Sequence, residues 1–337
     1  MAVLNKIYLC CIAILLTGCI RDITPDMVMK PVLCLNSVIT AGSPVEVKVS
    51  HTWLYSDVDG AENTAVDDAD VLIYANGVIQ KDSYIAREGD VIRIEASSPV
   101  YGYAEAEVTV PYAVARPEVV IKPEADEVNL DIYNDMSRLR VYFGMDLDVN
   151  VKDNPGKRNY YRYSMKSIYN GDSEFYCNGD TLYNYINSGY FRYETEPVFN
   201  EHVDTFEYIG GGSGAGFTFF TDSWFSDKSY TLTVGYYDAR ACVNTDGNLE
   251  DVLDFEVEVS IESVCEEYYK AAVFIWQLNY GVIEDLNDMG LADNVRTYSN
   301  VSSGAGLVVA RSISTARVSL RDFMLACLQD ACGPNGD

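Results

Sequence analysis

The sequence predicts a mainly β protein, with an N-terminal immunoglobulin-like β-sandwich followed by a larger β-rich domain that contains one well-marked helix. Three observations predict this class. Short apolar runs alternate with polar residues along most of the chain, turn residues separate these runs, and a single stretch has helical spacing. Alternation with a period of two buries one face of a strand and leaves the other in solvent, which is typical of antiparallel sheets.

The first predicted domain covers residues 27–115 and consists of short strands. They are expected at Val32–Thr40, Val45–His51, Asp70–Ala75, Val78–Lys81, Val91–Ser97 and Glu105–Val110. Asn76-Gly77 lies between two of them and favours a two-residue hairpin turn, in which both residues need a positive φ. Six short strands in about 85 residues are typical of an immunoglobulin-like sandwich. The segment from Pro111 to Pro117 is expected to join this domain to the next.

The second predicted domain covers residues 118–318. Its strands are expected at Val119–Ile121, Leu139–Phe143, Tyr161–Lys166, Tyr230–Tyr236, Phe255–Ile261 and Leu307–Ala310, with a polar break at Lys152–Arg158. The helix is predicted to begin at Ser263, because Ser263 and Glu266 have the spacing of a capping box. Its buried stripe is expected to contain Cys265, Tyr268, Tyr269, Ala272, Ile275 and Trp276.

Residues 1–18 are predicted to be a cleaved lipoprotein signal peptide. Lys6 precedes a ten-residue apolar run that ends at Leu16, and this run is shorter than the roughly 20 residues that cross a bilayer. The sequence Leu16-Thr17-Gly18-Cys19 resembles the bacterial lipobox. We therefore expect Cys19 to be the mature N-terminus, carrying acyl chains such as palmitate, and residues 19–26 to be a tether. Two or more acyl chains make membrane attachment long-lived.

The charge of the chain limits its partners. It has 51 acidic and 24 basic residues, and its formal net charge is -27. Such a surface repels polyanions, so nucleic acid is excluded as a partner and the lipid anchor is the expected link to the bilayer. Asp22 and Asp26 resemble the acidic signal that directs some Gram-negative lipoproteins to the exterior face, so we expect the anchored protein to face outward.

Six cysteines follow the predicted anchor: Cys34, Cys177, Cys242, Cys265, Cys327 and Cys332. Six cysteines allow fifteen pairings, and only the pair Cys327 and Cys332, in the predicted tail of residues 319–337, is locally plausible. Cys34 and Cys265 lie in apolar patterns and are expected to be buried in the core. No Cys-x-x-Cys pair exists in the chain, so a zinc site is not expected.

The residues that could carry catalysis are few, and we predict no catalytic residue and no enzyme activity. His51 and His202 are the only histidines, and neither lies in a nucleophile or metal motif. The run Gly210–Gly216 lacks the lysine of a phosphate-binding loop and is expected to be a surface loop. Acidic clusters such as Asp57–Gly60 and Asp67–Asp70 could hold calcium, but none fits the twelve-residue calcium loop. No metal or cofactor is therefore expected, apart from the covalent lipid.

Tyrosine is abundant, with 26 residues in the chain and nine between Tyr160 and Tyr193. Packing within strands explains most of this abundance. Four of these tyrosines lie among glycine and asparagine, a mixture that also builds recognition loops: Tyr176, Tyr183, Tyr185 and Tyr190. Strand packing is the favoured interpretation of these four tyrosines, and ligand-facing loops are the alternative for which they are the candidates.

Several separated motifs together resemble one protein family. They are Cys19–Ile23, Pro31-Val32-Leu33, Glu88-Gly89-Asp90, Val108–Pro111, Asp153–Gly156, Asn159–Arg162, Phe220-Thr221-Asp222, Ser263 with Glu267–Lys270, and Tyr298–Val301 before Gly304-Ala305-Gly306. In this order they are similar to the lipoproteins of the domain-of-unknown-function family 4249. The resemblance implies an outer-membrane lipoprotein, often encoded beside a TonB-dependent receptor, without established catalytic residues.

These observations lead to three functional hypotheses. The first is a non-enzymatic accessory lipoprotein that captures a ligand for a TonB-dependent nutrient transporter or covers its mouth. The second is a surface adhesion or assembly module. The third is a hydrolase, which would need a pocket that contains a histidine or two carboxylates.

Overall fold

Strands predominate in the protein, as the sequence predicts. The computed structural model describes residues 30–53, 64–81, 83–133, 138–170, 174–177, 180–183, 190–192, 196–200, 217–243, 254–280, 298–320 and 322. The strands of these residues are β1 (Leu33–Thr40), β2 (Lys48–His51), β3 (Asp70–Ala75), β4 (Val78–Ile79), β5 (Val91–Ser98), β6 (Gly102–Thr109), β7 (Glu118–Tyr133), β8 (Arg138–Lys152), β9 (Tyr160–Asn170), β10 (Glu174–Cys177), β11 (Asp180–Tyr183), β12 (Tyr190–Arg192), β13 (Phe219–Thr221), β14 (Ser229–Val243), β15 (Asp254–Val264) and β16 (Ala305–Ser319). The α-helix α1 covers Glu266–Tyr280, and short 3₁₀ helices cover Pro197–Asn200 and Asp222–Trp224. No helix among the described residues is long and apolar enough to span a membrane.

The predicted hairpin at Asn76-Gly77 is confirmed. Asn76 has a φ of 52° and Gly77 a φ of 77°, and the two residues join β3 to β4 with Ala75 paired to Val78. Positive φ at both positions is the requirement that this turn type places on its residues. The neighbouring strands lie close to their predicted positions, although β2 and β4 are shorter than expected.

One six-stranded sheet contains strands from both predicted domains. Its order is β13-β9-β15-β16-β1-β2. β1 lies parallel to β16, from the pair Cys34 and Ala305 to the pair Thr40 and Arg311. The boundaries at residues 27–115 and 118–318 stay a prediction, but the first and last long strands of the described chain are neighbours in this sheet.

Two smaller sheets pack against the same face of the six-stranded sheet. Each has four strands, one in the order β4-β3-β5-β6 and the other in the order β12-β14-β8-β7. The strands β10 and β11 form a separate hairpin. The first core joins β1 and β16 to β5 and β6, and includes Leu33, Leu35, Ile39, Ile92, Ile94, Val108 and Ala310. The second core joins β9 and β15 to β8 and β14, and includes Tyr161, Tyr163, Met145, Leu147, Val259, Ile261 and Leu232. The register places these inward residues of β1, β16, β15 and β9 on one face.

The linker between β6 and β7 crosses this face between the two cores. Val110 belongs to the first core and Val114 to the second. Between them, the buried Ser312 of β16 donates a hydrogen bond of 2.6 Å from its Oγ to the carbonyl oxygen of Pro111. The linker is therefore held on the six-stranded sheet between the two cores.

The predicted start of the helix is wrong by three residues. Ser263 still belongs to β15, where it pairs with Tyr161 on one side and Ser312 on the other. The backbone of Ser263 is thus paired within the sheet. The carbonyl of Cys265 accepts the first helical hydrogen bonds, which come from the N–H groups of Tyr268 and Tyr269. Pairing across the sheet overrides the local capping signal at this position.

The predicted helix stripe is correct in part. Cys265, Tyr269 and Trp276 are buried, but Ile275 is 48% exposed, so its predicted burial is wrong. Cys34 is half-buried, because it points away from the core that contains its neighbours Leu33 and Leu35, and its predicted burial in the core is also wrong.

Several predicted residues lie outside the described part of the chain. They are Leu16, Thr17, Gly18, Cys19, Tyr185, His202, Gly210–Gly216, Cys327 and Cys332. The roles predicted for them stay predictions.

Candidate functional site

A cavity of about 440 Å³ lies where the end of β6, the linker, the loop of residues 153–159 and the β15–α1 junction meet. We call it the seam cavity, and its lining includes Glu107, Tyr112, Asn154, Arg158, Ser263 and Glu267. Its volume lies within the range of roughly 300–1,000 Å³ that is usual for small-molecule sites.

Asp153 anchors the loop that forms one wall of the seam cavity. Its buried carboxylate accepts hydrogen bonds from the hydroxyl of Tyr161 at 2.5 Å, from the N–H of Asp227 at 2.7 Å and from Nδ2 of Asn159 at 3.2 Å. Burial, followed by the hydrogen bond to Asp153, raises the pKa of Tyr161 above its usual range. The tyrosine therefore stays protonated and acts as a fixed donor.

Asp222 holds the other end of the same loop. It is 2% exposed, and its carboxylate accepts hydrogen bonds of 3.0 Å from the N–H of Asn159 and 3.4 Å from Nδ2 of Asn159. The N–H of Asp222 in turn donates to the carbonyl of Asn159 at 3.2 Å. Burial raises the pKa of Asp222, and the hydrogen bond from the Asn159 backbone partly opposes this rise. These bonds fix the loop against β13.

The loop is also tied to the linker. Nδ2 of Asn154 donates to the carbonyl oxygens of Tyr112 at 2.9 Å and Ala113 at 3.3 Å. Tyr112 itself passes over Gly89, which has a φ of +83°, and a Cβ at that glycine would collide with the tyrosine hydroxyl. Both sides of the cavity mouth are thus held by specific contacts.

Two of the residues that line the seam cavity, Cys265 and Ser263, have buried side chains that differ in their hydrogen bonding. Cys265 is buried, and its Sγ accepts a hydrogen bond of 3.2 Å from the N–H of Ala310. Burial raises the pKa of this thiol to about 12, so it is protonated at neutral pH and is not an active nucleophile. Ser263 is 3% exposed, and its Oγ has no hydrogen-bond partner among the described residues.

The charges near the helix start are mutually compensated. Oε1 of Glu266 lies 2.8 Å from Nζ of Lys270, and hydrogen bonding to this lysine lowers the pKa of Glu266. The guanidinium of Arg158 lies 5.7 Å from the ring centroid of Tyr160, whose ring lies 5.0 Å from that of Tyr269. This side of the site is polar and has little net charge.

The chemistry that this arrangement supports is binding by hydrogen bonds. His51 does not line the seam cavity; its ring stacks on Tyr101 with centroids 4.5 Å apart, and its Nδ1 lies 3.0 Å from the carbonyl of Thr52. Asp153 and Asp222 accept hydrogen bonds from neighbouring groups, and these bonds hold the loop of residues 153–159 in place. In the described ranges, no three His, Cys, Asp or Glu side chains are grouped as metal ligands.

A second cavity, of about 370 Å³, lies between α1 and the outward face of β1 and β16. Its lining is more apolar and includes Cys34, Phe274, Ile275 and Tyr298. Desolvation raises the pKa of the Cys34 thiol, which makes this cysteine an ordinary packing residue at neutral pH.

The residues of the seam cavity are not the ones that sequence reasoning selected for ligand binding. Tyr176, Tyr183 and Tyr190 lie in β10, β11 and β12, and their proposed ligand-facing role stays a prediction. The sequence feature that could have pointed to this cavity was the polar break at Lys152–Arg158, which lines the cavity together with Ser263. Several motifs that carry the family resemblance converge here although they are far apart in the chain.

Comparison with known proteins identifies one family. Its model matches residues 20–317, and its description is "Domain of unknown function (DUF4249)". No curated protein and no solved structure matches the chain.

Proposed function

Because the chain belongs to the domain-of-unknown-function family DUF4249, whose description assigns no activity, we propose a function from its own features. The protein is a lipid-anchored, non-enzymatic accessory of the outer membrane. It captures a ligand for a TonB-dependent nutrient transporter or covers the transporter's mouth. It faces the exterior and needs no cofactor besides the lipid on Cys19.

The observation that carries this proposal is the short distance along the chain between the predicted anchor and the folded body. Lys30, the first described residue, follows Cys19 by eleven positions. Eleven residues span at most about 40 Å when fully extended. A body held this close to the bilayer stays within reach of a receptor embedded in the same membrane.

The geometry of the seam cavity supports binding over catalysis. Its buried thiol is protonated, and the two buried carboxylates nearby accept hydrogen bonds that hold the loop. A hydrolase would instead need a base placed beside a nucleophile or a water. The net charge of -27 argues against nucleic acid and favours solubility outside the cell.

The N-terminal region is proposed to be an immunoglobulin-like sandwich. Leu33, Leu35 and Ile39 of β1 face Ile92 and Ile94 of β5 across one core. Two layers of strands with inward apolar residues support this assignment. One layer continues into the rest of the protein through β16, so the sandwich would not be an independent unit.

The transporter role is tested with lipidated protein extracted from native outer membranes in detergent. Affinity capture followed by mass spectrometry is expected to recover a TonB-dependent receptor in near-equal amount. Cys19→Ala is expected to move the protein from the membrane fraction to the soluble fraction and to reduce nutrient uptake. Capture with surface polymer subunits and without a receptor would instead favour the adhesion or assembly module.

A further inference from the structure

Trp224 is a large aromatic residue that the fold holds in solvent. It is 60% exposed, although the nearby Asp222 and Phe225 are almost fully buried. The carboxylate of Asp222 accepts a hydrogen bond of 3.0 Å from the N–H of Asn159, and the ring of Phe225 lies 5.1 Å from that of Tyr230. These contacts fix the chain on both sides of Trp224. A fixed, exposed tryptophan is a candidate contact residue, because this residue type is usually largely buried.

A second exposed aromatic residue, Tyr112, is tied to the same part of the surface. It is 62% exposed, and its carbonyl accepts a hydrogen bond of 2.9 Å from Nδ2 of Asn154. The N–H of Gly156, in the same loop as Asn154, donates a hydrogen bond of 3.0 Å to Oδ1 of Asp227, which follows Trp224 by three positions. Tryptophan and tyrosine are enriched where proteins meet the membrane–water boundary, because their rings are apolar and their N–H or O–H groups are polar.

The exposed charges of this surface reverse the balance of the whole chain. We call the surface formed by Tyr112 and residues 152–158 and 223–228 the loop edge. It exposes one acid, Asp227, and four cations: Lys152, Lys157, Arg158 and Lys228. The chain as a whole has 51 acidic and 24 basic residues. Lys157 and Arg158 line the seam cavity together with acidic side chains that offset them, whereas Lys152 and Lys228 do not line it. The loop edge is therefore a cationic part of an acidic protein, and acids more than about 8 Å away are largely screened at physiological ionic strength.

The tether indicates what the loop edge contacts. Lys30 follows the predicted lipid-bearing Cys19 by eleven positions, so the chain holds the folded body within about 40 Å of the bilayer. A bilayer that contains anionic lipids attracts lysines close to its surface. The headgroup region of a bilayer also accommodates tryptophan and tyrosine rings. A bilayer surface therefore matches both the charge and the aromatic residues of the loop edge.

We propose that the loop edge contacts the bilayer surface, with the rings of Trp224 and Tyr112 in the headgroup region. Lys152 and Lys228 lie against anionic headgroups, and the acidic remainder of the protein faces away from the membrane. The contact rests on the proposed anchor for its closeness to the bilayer and does not depend on the transporter role.

The test is tryptophan fluorescence of the lipidated full chain in vesicles of phosphatidylcholine and phosphatidylglycerol. The acyl chains carry bromine near the headgroups, because bromine quenches tryptophan only at short range. The other tryptophans are Trp276, which is 9% exposed, and Trp53, which is 43% exposed. Trp53→Phe is therefore the matched control for Trp224→Phe. Quenching is expected in the unaltered chain and in Trp53→Phe, and is expected to be largely lost in Trp224→Phe.

The Cys19→Ala chain lacks the anchor and tests the contact by itself. It is expected to bind the same vesicles, with quenching that depends on Trp224. Lys152→Gln combined with Lys228→Gln is expected to weaken this binding about 25-fold, since each lysine near an anionic surface contributes about fivefold. The control is Lys48→Gln combined with Lys81→Gln, because both lysines are exposed and lie outside the loop edge. This control is expected to bind like the Cys19→Ala chain.

Three results would overturn the proposal. They are the absence of quenching in both chains, quenching that is lost in Trp53→Phe and kept in Trp224→Phe, and equal weakening by the two lysine pairs. Recovery of the unaltered chain in the soluble fraction, together with quenching when vesicles are added, would keep the contact and remove the anchor. Receptor capture without quenching would keep the transporter role and remove the contact.

Discussion

Ser263 and Ser312 allow a direct comparison of a paired and an unpaired buried serine on adjacent strands. They are register partners on β15 and β16 and are both buried. Ser312 donates a 2.6 Å hydrogen bond to Pro111, whereas Oγ of Ser263 has no partner among the described residues. The same substitution, serine to alanine, should therefore destabilise the protein at Ser312 and not at Ser263.

The expected magnitudes follow from what each substitution removes. Ser312→Ala deletes a hydrogen bond that fastens the linker and leaves the Pro111 carbonyl without this donor, which costs about 1–2 kcal/mol of unfolding free energy. Ser263→Ala replaces a buried, unpaired hydroxyl by a smaller apolar group. Since such a hydroxyl costs about 1–3 kcal/mol in proteins, this variant is expected to be as stable as the unaltered chain or about 1 kcal/mol more stable.

The assay is urea unfolding of both variants, followed by tyrosine and tryptophan fluorescence. A stability change should move the midpoint and leave the slope unchanged. The control is Ser314→Ala, because Ser314 is a partly exposed serine on β16, the strand of Ser312. Its free energy of unfolding is expected within about 0.5 kcal/mol of that of the unaltered chain. Equal destabilisation by Ser263→Ala and Ser312→Ala would refute the reasoning, because Ser263 would then have a partner in the folded protein.

Two further substitutions, Gly306→Ala and Glu258→Gln, test the six-stranded sheet, and Gly156→Ala is the control for the first. Gly306 has a φ of +108°, and a Cβ added there would collide with the backbone of Leu35 in β1, so Gly306→Ala should cost about 3 kcal/mol or more. Gly156 has a φ of +101° and lies in open space, so Gly156→Ala should cost only about 1–2 kcal/mol. Thermal unfolding compares the two variants. Glu258→Gln tests pH dependence: hydrogen bonding to Arg317 holds the pKa of Glu258 below its ordinary value of 4.5, so its stabilisation is present above that value and is lost as the pH falls through the lower folded pKa. The variant should therefore lose less stability than the unaltered chain between neutral and acidic pH, and an identical acid profile would contradict this role.

Local patterns were sufficient for much of the fold and for the family. The alternation of Tyr161 and Tyr163 with Arg162 and Ser164 predicts one buried face, and the structure confirms it. The hairpin at Asn76-Gly77 was predictable because its turn depends on only two residues. Strand periodicity and turn chemistry act over a few residues, so a sequence carries them directly.

The candidate site depended on contacts between distant parts of the chain. Nothing local predicts that Ser263 continues β15, because that outcome depends on pairing with Tyr161 and Ser312. Nor does the polar break after β8 indicate that Asn154 will bond the carbonyl of Tyr112. Of the tyrosines that local composition favoured, Tyr176, Tyr183 and Tyr190 lie in other strands.

The sequence by itself determined the mainly β class, the position of most strands, the anchor motif at Cys19 as a prediction, and membership of the family. The tertiary structure alone decided that β16 lies beside β1, that two smaller sheets share one face of the resulting sheet, and that a cavity opens at their seam. The physical reason is that periodicity specifies which face of a strand is buried but not which strand will cover it. That choice depends on the burial and hydrogen bonding of the whole chain at once.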